Sequence, residues 1–130
     1  MKKIPIWVLV VAIVFALAPL ALSIMGYMNP SSGPTVLPGD DPSFAGTYGA
    51  FLARNLATAL IMIAAIVIRS PGMLMSAFLM RMFSDILDII NTLLGGAGFP
   101  FAFLAFVIPS ALCIYVLWPM LTTTSYGKNN

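Results

Sequence analysis

Four stretches of the chain stay apolar over the roughly 20 residues a helix needs to cross a bilayer: Ile4 to Met28, Tyr48 to Arg69, Gly72 to Leu94 and Pro100 to Leu121. The pattern predicts an all-α fold, a single integral-membrane four-helix bundle spanning residues 1–130. The breaks between the stretches are equally legible. Ser70-Pro71-Gly72 is a tight turn in which Ser70 can cap the third helix and Pro71 can occupy its first position, where no backbone donor is needed. The second and third helices are therefore expected to be antiparallel neighbours. Gly95-Gly96-Ala97-Gly98-Phe99-Pro100 forms the next turn, its glycines permitting positive φ and its proline starting the fourth helix. The long connection 29–47 contains Pro30, Pro34, Pro38 and Pro42 and cannot continue a helix. It is expected to be an extended outer loop, either a plain linker or a lid or docking surface over the bundle mouth.

Composition removes the alternatives to a membrane. Of 130 residues, 61% are hydrophobic and only 8% charged, against about 25% charge in soluble domains. Mean hydropathy is +1.03. Lys2 and Lys3 before a charge-free run also resemble the start of a secretory signal, but a cleavable apolar region is about 7–15 residues long and this one is longer. Pro19 spoils a cut after Ala16-Leu17-Ala18, although Ala21-Leu22-Ser23 remains a second candidate site; an uncleaved first helix is expected. The distribution of Lys and Arg sets orientation. With both termini cytoplasmic, Lys2, Lys3, Arg69 and Lys128 fall inside, and Asp40 and Asp41 fall outside.

Charge and ligand chemistry narrow the function classes. A net charge of +2 is too small and dispersed for a nucleic-acid surface. There is no histidine and a single cysteine, Cys113, so histidine-ligated haem, Cys-x-x-Cys exchange and most zinc sites are excluded; no cofactor and no metal site is expected. No pairing of nucleophile and base can be assembled either, and an enzyme is not expected.

The informative residues are those a bilayer does not tolerate alone. Arg54, Arg81, Asp85 and Asp88 lie inside the predicted spans, where each isolated charge costs about 2.5–3.5 kcal/mol on insertion scales. At about 100° per residue, Arg81, Asp85, Asp88 and Thr92 form one stripe on the third helix, and Thr47, Arg54 and Thr58 form another on the second. Arg54 and Asp88 lie at similar depth, about 9 Å below the outer helix ends. Arg81 and Asp85 have the i, i+4 spacing at which side chains on one helix touch. An Arg54–Asp88 bridge between helices and an Arg81–Asp85 pair within the third helix are expected, with Asn55 and Asn91 widening the polar zone. The cluster is either an ion-pair network that fixes helix register or a polar pocket for a ligand. Ala45, Gly49, Ala53 and Ala57 recur every four residues, a small-residue ridge expected to pack within the chain, with a subunit interface as the alternative. Pro19, Pro109 and Pro119 can kink the first and fourth helices.

From Asp41-Pro42 through Tyr48-Gly49, Arg54-Asn55-Leu56, Arg69 and Arg81-x-x-x-Asp85-x-x-Asp88, the pattern resembles the DoxX-like superfamily of small four-helix bacterial membrane proteins. The resemblance covers the second and third helices best. It implies that Arg54, Arg81, Asp85 and Asp88 line the interior of a bundle in the bacterial inner membrane, and that quinones or lipids are ligands to consider. Two functions remain in view: a non-catalytic accessory subunit of a larger inner-membrane complex, whose partners are other membrane subunits, and a pocket protein that binds or moves a quinone, lipid or other small amphipathic molecule.

Overall fold

A computed structural model describes residues 3–29, 47–96, 98 and 101–126. They form four helices: α1 (Ile6–Met28), α2 (Thr47–Ile68), α3 (Pro71–Leu94) and α4 (Phe101–Tyr126). The helices sit where the apolar stretches do, and their ends follow from local chemistry. Pro5 cannot join α1 from its donor side, but its carbonyl accepts the first bonds, from the amides of Val8 and Leu9 at 3.1 and 3.3 Å. Ser70 caps α3 by accepting a bond from the Met73 amide at 3.4 Å, with Pro71 in the first turn as anticipated. The largest departure is at the far end of α4, which runs to Tyr126 rather than stopping at Leu121. The polar residues from Thr122 onward mark where the apolar run ends, and a helix need not end there. Thr122 Oγ1 bonds back to the carbonyls of Trp118 and Pro119, at 3.3 Å each.

Three of the four helices, over Ile6–Met28, Gly49–Ile68 and Phe101–Thr122, are long and apolar enough to cross a membrane. α3 is long enough, at 24 residues, but Arg81, Asp85 and Asp88 break its apolar character. Composition alone therefore supports three spans where four were expected. The long connection proposed as a lid, together with Ala45, Asp40, Asp41 and Lys128, lies outside the described residues.

α1 packs broadly on α2 and α3 broadly on α4; the α2–α3 contact is narrower and α1 barely reaches α4. The chain is thus two hairpins laid side by side. Their common core lies toward the α2–α3 turn, where Val8, Ala12, Phe15 and Ala16 of α1 meet Met62 and Ala65 of α2, Leu74, Ala77 and Phe78 of α3, and Cys113 and Leu117 of α4. Phe15 is the pivot, edge-on to Phe78 at 6.0 Å between ring centres and tilted against Phe106 at 5.1 Å. Toward the opposite end the first hairpin stays closed, with Ser23 Oγ donating to the Leu52 carbonyl at 3.3 Å and Gly26 buried. The second hairpin does not: among the described residues, none after Asp85 in α3 and none before Ser110 in α4 is buried. Pro19, Pro109 and Pro119 sit inside helices that continue through them.

Of the small-residue ridge, Gly49 is half-buried and Ala53 and Ala57 are exposed, α2 turning Leu52, Asn55, Ala59, Met62 and Ala65 inward.

The α2–α3 turn gives a direct test. Arg69 ends α2 with φ 55, a left-handed conformation that disfavours a side chain with a Cβ by about 1 kcal/mol. Arg69→Gly is expected to raise the thermal unfolding midpoint of the detergent-purified protein, and Arg69→Val, whose branched Cβ resists positive φ, to lower it. Equal midpoints for the two variants would show that the turn does not constrain the fold.

Candidate functional site: a paired charge cluster between α2 and α3

α2 and α3 bring their polar stripes together at the boundary between the packed core and the open end. Arg54 Nη2 of α2 donates to Asp88 Oδ2 of α3 at 2.6 Å. Within α3, Arg81 Nε donates to Asp85 Oδ2 at 2.9 Å. Both pairings are the ones that depth and spacing indicated. The four charges sum to zero, which removes most of the cost of holding them away from water.

Asn55 has a larger part than its sequence position suggested. Its Oδ1 accepts a 2.7 Å bond from Arg81 Nη1, while its Nδ2 donates to the Phe51 carbonyl at 2.9 Å. An amide offers both an acceptor and a donor, so a single buried side chain ties the α3 guanidinium to the α2 backbone. Thr58 and Thr92 act locally. Thr58 Oγ1 bonds the Asn55 carbonyl at 3.0 Å, and Thr92 Oγ1 bonds the Asp88 carbonyl at 2.7 Å, so each hydroxyl is satisfied by the preceding turn of its own helix. Asn91, by contrast, is exposed and does not extend the polar zone.

The two arginines differ sharply in their surroundings. The Arg81 side chain is 10% exposed and Asp85 only 2%. Besides Asp85 and Asn55, the Arg81 guanidinium has the face of Phe106 of α4 at 4.6 Å, a cation–π contact. Residues from three helices thus enclose one charge. The Arg54 side chain is 40% exposed and its Asp88 partner 17%, and its further contact is the Phe51 ring at 5.5 Å on its own helix. Phe106 was not marked by the sequence, because α4 is apolar on all sides and its inward positions cannot be told from the rest. Ser110, one turn further along α4, is fully buried, and its hydroxyl is the one buried side-chain polar atom without a partner among the described residues. Among those residues no group of His, Cys, Asp and Glu could hold a metal ion.

Asp85 is buried and bonded through Oδ2 to Arg81, and Asp88, part-exposed, is bonded through Oδ2 to Arg54, so each carboxylate is held against a counter-charge.

Removing one partner of the inner pair should expose its worth. Arg81→Met leaves Asp85 buried without a counter-charge and is expected to cost about 3–5 kcal/mol of stability. The double variant Arg81→Met/Asp85→Leu should recover most of that loss. Chemical unfolding of the detergent-purified variants as a double-mutant cycle measures the coupling; additive losses would mean the pair is not linked as described.

Comparison with known proteins gives no matching family model, no matching curated protein and no matching solved structure.

Proposed function

We propose that this chain is a non-catalytic, multi-pass membrane protein that serves as an accessory subunit, seated against another membrane protein. In this reading all four helices cross the bacterial inner membrane with both termini in the cytoplasm. α3 crosses because its charges are neutralised at the α2 boundary and the two-residue connection between α2 and α3 holds it alongside an apolar helix. Lys2, Lys3, Arg69 and Lys128 on the cytoplasmic side accord with that orientation. The resemblance of α2 and α3 to DoxX-like proteins points the same way.

The observation that carries the proposal is the outward position of Ala53 and Ala57 beside charges that are already paired. Small side chains let two helix backbones approach closely, and that is a principal source of helix association in lipid, where apolar burial adds little. The cluster sets register inside the chain while the ridge is left for another helix.

A second reading is favoured by the exposure of Arg54: the protein binds a small amphipathic molecule, a lipid or a quinone, beside α2, with Arg54 holding its polar head.

Purification in mild detergent followed by mass spectrometry should find a stoichiometric membrane partner, and Ala53→Leu/Ala57→Leu should release it while leaving the helix content intact. Asp88→Asn should lower stability by leaving Arg54 without its counter-charge. A lone, monodisperse chain from its native membrane, unchanged by the leucine variants, would overturn the subunit reading.

A further inference from the structure

A guanidinium has five N–H donors and no acceptor, so every acceptor it meets must come from outside itself. Arg81 is well supplied. Asp85 takes its Nε–H, Asn55 takes a bond from Nη1, and Phe106 covers one face. Arg54 is not. Among the described residues its one hydrogen-bond acceptor is Asp88, reached through Nη2 alone, and two-fifths of the side chain remains uncovered. In water the remaining donors would be solvated at no cost. On a helix that crosses a bilayer they need an acceptor that the hydrocarbon does not provide.

Two features bear on where that acceptor could come from. Arg54 lies seven residues into α2, about 10 Å along the axis, a depth from which a long side chain reaches toward the headgroup layer. The exposed positions around it, Ala50, Ala53 and Ala57, carry only methyl groups, so the face of α2 beside the guanidinium is low and apolar as far as the larger exposed Leu60. That face suits a hydrocarbon chain lying along the helix with its anionic end at Arg54. Asp88 already balances the guanidinium's single charge, so a second acceptor is drawn by the unused N–H donors rather than by net charge, and it is best tolerated when it carries one charge rather than two.

We propose that Arg54 binds the phosphodiester of a membrane phospholipid, whose oxygens take the donors that Asp88 leaves over and whose acyl chain lies along Ala50, Ala53 and Ala57. This rests on the second reading above and names its ligand class. Phosphate suits the site better than a quinone because a guanidinium makes paired, charge-assisted bonds to phosphate oxygens, whereas a quinone carbonyl offers a single neutral acceptor.

Native mass spectrometry of the detergent-purified chain, titrated with phosphatidylglycerol, diacylglycerol, glycerophosphoglycerol or a short-chain ubiquinone, tests it. Phosphatidylglycerol should be retained, and diacylglycerol, which lacks the phosphate, should not. Arg54→Gln/Asp88→Asn removes both charges together and keeps two groups able to hydrogen-bond, so the fold survives; it should weaken retention at least tenfold. Arg54→Lys, with charge but no fork, should weaken it several-fold. Undiminished retention by the double variant, or equal retention of diacylglycerol, would overturn the proposal. Equal binding of chainless glycerophosphoglycerol would overturn it in favour of a free anion. Arg54-dependent retention of the quinone without the phospholipid would sink the phosphodiester and leave the amphiphile reading standing, whereas retention of neither would end both.

Discussion

The constraint on which the structure depends is that a charge in a low-dielectric interior must have its counter-charge within bonding distance. Arg81 and Asp85 satisfy it inside one helix, and Asn55 converts that local pair into a link between helices. Because Asn55 is anchored to its own backbone at the Phe51 carbonyl, the link has little play. Sliding α3 along α2 by one turn would separate Arg81 from Asn55 and Arg54 from Asp88 together. The apolar core, in which alanines and leucines surround Phe15 and Phe78, is held by non-directional contacts and rejects a shifted register less sharply than these bonds do.

The position of the cluster divides the bundle into two regions of different character. On one side, side chains from all four helices interlock around Phe15 and Phe78. On the other, α1 and α2 remain joined while α3 and α4 contribute no buried residue among those described. A closed Arg81 at the boundary and an open Arg54 beyond it follow from that division: the same residue type is a structural rivet in one environment and an available group in the other.

Where the sequence carried polar contrast, the structure could be anticipated. Arg81 and Asp85 are four residues apart, Arg54 and Asp88 are level, and Ser70-Pro71 is a helix start with its own chemistry, so each could be placed before any coordinates. Where contrast was missing, it could not. α4 is apolar around its whole circumference, which hid the role of Phe106, and its polar end was mistaken for its helical end. The alanine ridge was expected inside because small residues favour close helix packing, but that preference says nothing about which neighbour is packed. Asn55 was noticed only as Arg54's neighbour, since nothing in a single sequence shows that its amide faces Arg81 across the helix gap.

The brevity of the α2–α3 connection has a bearing on biosynthesis. With α2 ending at Ile68 and α3 beginning at Pro71, the two emerge from the ribosome almost as one unit. Alone, α3 would have to partition from the translocation channel into lipid carrying three ionised side chains, a poor exchange on any insertion scale. Held beside α2 by a turn too short to let it drift, it would meet Arg54 and Asn55 before it meets lipid. If α3 crosses the bilayer as proposed, this more polar helix depends on its predecessor for entry, and lengthening the connection would trouble assembly before it troubled the finished fold.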